Sequence, residues 1–99
     1  MLFFVQMRWN IEGRLSFDEL WELEEQEAAW AMSEGPEAQL WKVAGQKRVI
    51  GVVQVDSIEE LDRIVMGRLP MREYLEFEAI WPLRDYPGFI EDVQRRYKV

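Results

Sequence analysis

The chain contains no cysteine and no histidine. That inventory excludes disulfides, zinc sites built from Cys and His, cysteine nucleophiles and the Ser-His-Asp triad. Basic residues are scarce as well: 12 Lys and Arg stand against 19 Asp and Glu, a formal net charge of −7. They are scattered, with no block that outweighs the acid, so neither nucleic acid nor an anionic membrane is an expected partner. A carboxylate-bound Mg²⁺ survives the inventory, but no D-x-D-x-D-G loop is present to hold a metal. No apolar run approaches the length of a membrane span. The chain opens directly into L-F-F-V, without a charged leader region or a small-residue cleavage site, and the cytoplasm is the expected compartment.

What is present is a folded chain. Of 99 residues, 48% are hydrophobic and 13% aromatic, five of them Trp. This composition suits one domain with a single modest core and not a disordered segment. The expected organisation is a single domain over 1–99, with a core at 1–86 and an arm or short helix at 87–99.

The stretch Ser16 to Gly35 organises the rest. Ser16 with Glu19 reads as a capping box, and Gly35 followed by Pro36 as a stop, bounding a helix of about five turns. Placed at about 100° steps around the axis, Phe17, Leu20, Trp21, Leu23, Ala28, Trp30, Ala31 and Met32 collect on one arc. Asp18, Glu19, Glu22, Glu25, Gln26 and Ser33 form an ordinary wet face. Two carboxylates break the pattern: Glu27 falls between Leu23 and Leu20, and Glu24 between Ala31 and Phe17. A buried Glu without a cation has a raised pKa and trades protons near neutrality, which is what a general base needs. The bland alternative is a helix glutamate that snorkels to water from the edge of the arc.

Around this helix, Leu2–Trp9, Gln39–Gly45, Arg48–Asp56 and Tyr74–Trp81 read as strands, the last stopped by Pro82. The second and third form a hairpin through Gly45-Gln46-Lys47. Ser57 with Glu60 caps a second helix ending near Gly67. The order predicts an α+β, ferredoxin-like βαββαβ fold: a four-stranded antiparallel sheet with both helices on one face. Leu2-Phe3-Phe4-Val5 and Val49-Ile50-Gly51-Val52-Val53 are nevertheless apolar on both faces. Two helices cover only one, and a second copy of the sheet is the expected cover for the other, making a dimer the minimum assembly.

These residues carry a resemblance to a known family. Met1–Met7 (M-L-F-F-V-Q-M), Glu27–Trp30 (E-A-A-W), Leu40–Gly45 (L-W-K-V-A-G), Val55–Leu61 (V-D-S-I-E-E-L) and Leu69–Glu78 (L-P-M-R-E-Y-L-E-F-E) resemble the muconolactone isomerases of aromatic-compound breakdown. The resemblance covers about residues 1 to 90. It implies a dimeric α+β barrel, assembly of dimers into a homo-oligomeric decamer, and a proton shift along an unsaturated lactone acid without cofactor or metal. It also implies that Glu27 transfers the proton. The chain departs from the family pattern at Lys42, where Arg is usual, at Gln46-Lys47 in place of Arg-Tyr, at Gln39 in place of His, and at the apolar Val49 and Gly51.

For the site, Glu27 is the expected general acid and base, with Glu24 a neighbour that shares its proton or is solvated. Lys42 is the first choice for a substrate carboxylate, ahead of Lys47 and Arg48, whose bland reading is a wet hairpin tip. Trp30 and Trp41 are the expected walls for a flat ring, or else core, and Tyr74 a hydrogen-bond donor. Glu76 and Glu78 fit a wet or subunit-facing strand better than a carboxylate pair. Two function classes follow: an isomerase of a small-molecule lactone, or a catalytically silent oligomeric member of the fold binding a small apolar ligand.

Overall fold

The computed structural model describes residues 1–99. Strand β1 (Leu2–Trp9) is followed by α1 (Phe17–Ser33), the hairpin β2 (Glu37–Lys42) and β3 (Arg48–Gln54), α2 (Ile58–Arg63), β4 (Leu75–Leu83) and α3 (Tyr86–Gln94). The strands form one antiparallel sheet in the order β2-β3-β1-β4. This is the expected α+β arrangement, consistent with a ferredoxin-like fold.

The caps behave as the sequence dictates. Glu19 N–H donates to Ser16 Oγ at 3.1 Å, and Ser16 N–H donates to Glu19 Oε1 at 3.0 Å. At the far end Glu34 and Gly35 N–H both return to Trp30 O, at 2.8 and 3.0 Å. Ser57 caps α2 through Glu60 N–H at 3.1 Å. Beyond Arg63 the helix widens into a π-helical turn, Ile64–Arg68, closed by Leu69 N–H on Ile64 O at 3.0 Å. The periodicity of the second helix gives no warning of that widening.

Three strands differ in their bounds from expectation: β2 spans Glu37–Lys42, β3 ends at Gln54, and β4 spans Leu75–Leu83. β2 ends at Lys42 because the reversal needs Val43–Lys47, with Gly45 at φ +75°, a left-handed conformation that favours glycine. β4 runs through Pro82 to Leu83. It is an edge strand paired only with β1, where a missing N–H is tolerated. Gly51 lets the β2–β3 pair close: a Cβ there would meet Leu40 Cδ2 at 2.4 Å and Gln39 O at 2.7 Å.

Alternation along β1 sends Phe3, Val5 and Trp9 into the interior, all buried. Phe3 and Val5 pack with Val53, Val55, Leu61 and Ile64. Trp9 packs with Ile11, Leu20 and Met71 in a second cluster. The helices thus cover one face. On the other, Phe4 stacks on Trp81 with ring centroids 5.2 Å apart, and Leu2, Trp41, Trp81 and Leu83 are exposed. α3 is capped by Asp85, whose side chain accepts from Gly88 N–H at 2.7 Å, and has no buried residue. It gives the tail the form of a short helix. No helix is long and apolar enough to cross a membrane.

Candidate functional site in the helix–sheet cavity

Between α1 and the covered face of the sheet lies a cavity of about 160 Å³. The sheet contributes Val5, Met7, Trp9, Ala38, Leu40, Val49, Val53, Leu75 and Phe77. Leu61, Ile64, Val65 and Leu69 close one end, and Ala28, Trp30, Ala31 and Pro36 close the helix side. The only charged residues in the lining are Glu24 and Glu27. Three residues apart on α1, they share one helix face, as the sequence pattern requires.

Glu27 Oε1 accepts a hydrogen bond from the Met71 backbone N–H at 3.1 Å. Burial pushes the Glu27 carboxyl up to about 7; the Met71 N–H works against that rise and the nearby Glu24 adds to it. Glu24 is also raised by burial, with the Trp9 indole opposing. Its Oε2 is buried without a hydrogen-bond partner. The wall is thus mostly apolar, and no cationic side chain lines it beside the two acids. Two carboxylates could at most begin a metal site, and no group of three or more metal-ligating side chains converges anywhere in the chain.

Of the residues singled out from sequence, the cavity brings together Glu27, Glu24 and Trp30. It does not bring in Lys42, Trp41 or Tyr74. Lys42 Nζ donates to Val43 O at 2.8 Å and to Gln46 O, and lies over the Trp9 ring 5.4 Å from its centroid. Trp41 is opposite Ile50 on the uncovered face and is exposed. Strand alternation alone separates it from Lys42. Tyr74 lies beside the Trp9 cluster with the Arg14 guanidinium 4.5 Å over its ring. Lys47 pairs with Glu12 at 3.3 Å, and Arg48 Nε with Glu78 at 2.8 Å.

On α1, the helical arc is narrower than the sequence pattern suggests. Met32 is 91% exposed, and Phe17 and Trp21 stack on each other at 5.6 Å, about half exposed. Two contributors escape the sequence reading. Trp9, which walls Glu24, is detectable from β1 alternation, since it shares parity with Phe3 and Val5. The Met71 N–H has only one hint, the Leu69-Pro70 break, which signals a turn whose amides lack helical or sheet partners.

The muconolactone delta-isomerase family profile matches residues 1–88. The Muconolactone Delta-isomerase of Acinetobacter baylyi (strain ATCC 33305 / BD413 / ADP1) is 28% identical over 95 residues, covering 93% of this chain and 97% of its own. The match takes in every strand, both helices that cover the sheet, and the Glu24–Glu27 wall, so the chain belongs to the muconolactone delta-isomerase family.

Proposed function

We propose that this protein catalyses a cofactor-free proton shift along a small unsaturated lactone, with Glu27 as the single general base and acid. The observation that carries the reading is Glu27 in an apolar cavity, raised to about 7 and with one oxygen held by the Met71 N–H. A 1,3 shift needs one group that removes a proton from one carbon and returns it to another. A carboxylate whose pKa lies near working pH does both at little cost in driving force. The Met71 amide fixes Oε1, leaving Oε2 to face the substrate, and the apolar lining disfavours water beside the intermediate dienolate.

The test is a panel of unsaturated lactones followed by ultraviolet absorbance as the double bond moves. Turnover by the parent chain and its loss in Glu27→Gln support the reading. Turnover at near the parent rate in Glu27→Gln overturns it. A second reading, a silent member of the family that binds a small apolar ligand, is favoured by the absence of any cation from the lining. Lactone binding without turnover is its signature.

The working form in this proposal is a homo-oligomer, a dimer at least, closed over the uncovered sheet face. Leu2, Trp41, Trp81 and Leu83 are exposed there beside the Phe4–Trp81 stack. A stable 11.9 kDa species in sedimentation at micromolar concentration overturns this. The same measurement on a chain lacking Pro87–Val99 tests whether α3 packs on a neighbouring copy.

A further inference from the structure

Most of the cavity is walled by buried or half-buried side chains, and the exceptions lie on one side. Of the lining residues, Ala28, Ala38 and Leu40 are the exposed ones. Ala28 belongs to α1, and Ala38 and Leu40 belong to β2, the strand at one edge of the sheet. The cavity therefore meets solvent between α1 and the β2 edge. Both alanines end at Cβ. Leu40, 50% exposed, is the one side chain at this mouth long enough to reach across it.

The course of Leu40 follows from its partner. It is opposite Gly51 in the β2–β3 register, and paired residues of an antiparallel ladder point to the same face. Val49 and Val53, two residues to either side of Gly51, line the cavity, so that face is the covered one. Gly51 itself is buried, and a Cβ built on it would lie 2.4 Å from Leu40 Cδ2. The leucine thus lies across the glycine, in space that any other residue there would need for its own side chain. The far end of the cavity is closed by the buried Leu61 and Ile64. An engineered apolar cavity of about 150 Å³ holds benzene, so one of about 160 Å³ holds a small ring and little more. A substituent on that ring has the mouth as its direction of growth, and Leu40 stands there.

We propose that Leu40, folded across Gly51, is the specificity-determining residue of the cavity and sets how long a substituent the bound ring can carry. This deepens the lactone reading and rests on it for the natural ligand, whereas the size limit concerns the cavity alone. Each tail carbon that fits inside should tighten binding about 4-fold, the scale for burying one methylene. The first carbon to meet Leu40 should end that gain, since overfilling a packed space is itself unfavourable.

Benzene, toluene, ethylbenzene, propylbenzene and butylbenzene are inert probes of this limit that need no isomerase chemistry. Their binding to the full chain is measured by calorimetry and by tryptophan fluorescence. Affinity is expected to rise with tail length to a maximum and then fall. Leu40→Ala removes an isopropyl group from the mouth, and the maximum should move to tails longer by about two carbons, with a gain of about 10-fold for the probe just beyond the parent's maximum. Ala38→Leu adds a second leucine to the mouth and should move the maximum to shorter tails. A maximum at the same length in the parent and both variants overturns the proposal, as does failure of every probe to bind. If Leu40→Ala does not fold, Ala38→Leu decides: a shortened maximum supports the limit and an unchanged one overturns it. Turnover of unsaturated lactones bearing methyl, propyl or pentyl groups is then followed in the same chains. A shifted binding profile with no turnover by any chain defeats the isomerase reading and leaves the size limit standing. Turnover with one substituent preference in all chains defeats the size limit and leaves the isomerase reading standing.

Discussion

On the covered face of the sheet Glu27 is pushed up to about 7, whereas on the uncovered face Glu78 is held at about 2. Glu78 meets the Arg48 guanidinium through both oxygens, at 2.8 and 3.0 Å, and accepts from Gln6 at 3.0 Å. A bulge in β4 opposite Gln6–Met7 breaks the strand's register where Glu78 meets these partners. Glu27 has one backbone N–H and a second carboxylate for company. The same functional group is held ionised in one place and titrates near neutrality in the other, because burial raises Glu27 while the Arg48 guanidinium lowers Glu78. The sheet segregates its charges, keeping paired ions on the uncovered face and around the hairpin while the cavity stays free of positive charge.

The most severe way to test the two faces is to truncate neighbouring phenylalanines of β1. Phe3 is 1% exposed in the core, and Phe3→Ala is expected to cost about 3–5 kcal/mol in a denaturant titration. Phe4→Ala, on the uncovered face, is expected to cost the subunit less and to act on assembly, seen by sedimentation. Equal losses for the two would erase the distinction between a covered and an open face.

Next comes the proposed base. Glu27→Gln is expected to lower turnover at least ~10²-fold, the usual scale for losing a general base. Its stability should change in the opposite sense. Between the ordinary carboxylate value of 4.5 and about 7 the folded parent binds more protons than the unfolded chain, so its stability falls as pH rises through that window. The variant should lack that decline, in melting curves taken across the window. Glu22→Gln, on the exposed face of α1, is the control and should alter neither.

A milder test supplies the missing cation. Ala31 lines the cavity one turn beyond Glu27, so Ala31→Lys places an ammonium at the favourable spacing for an ion pair. The Glu27 pKa is expected to fall by about one unit or more, read from the acidic limb of the pH–rate profile or from carboxyl NMR. A value still near 7 would mean that burial alone sets it. The smallest effect belongs to Glu78→Gln. Exposed ion pairs contribute little at neutral pH. Because the Glu78 pKa is depressed, its contribution is present above 4.5 and lost as pH falls toward about 2. The melting temperatures of parent and variant should therefore converge in acid.

Much of this organisation is legible in the residues. Ser16 with Glu19 and Ser57 with Glu60 announce both helices because capping is a local interaction between residues three apart. Glu27 stands out because a carboxylate between Leu20 and Leu23 violates the helical pattern. Trp41 and Lys42 were less legible as a pair. Adjacent strand residues face opposite ways, so both cannot reach one pocket, but which of the two does so depends on how β2 pairs with β3. Met32 shows the converse: helical periodicity places it on the apolar arc, yet in the last turn of α1 it is 91% exposed. Lys42 was least legible, since a lysine's long stem lets it fold back on its own hairpin carbonyls instead of extending into the cavity.

The hydrogen bond from Met71 to Glu27 also makes the protein its own indicator. A backbone amide that donates to a carboxylate is deshielded while that carboxylate is ionised, and relaxes when it takes up a proton. In a nitrogen–proton correlation spectrum the Met71 cross-peak should therefore move along a line as pH is varied, with its midpoint near 7. Its protection from exchange, taken relative to the intrinsic rate at each pH, should be greatest on the alkaline side of that midpoint. Occupancy of the cavity by a lactone would displace the same midpoint. The protonation state of Glu27 can thus be read from an unaltered main-chain group, without substitution and without a turning-over substrate.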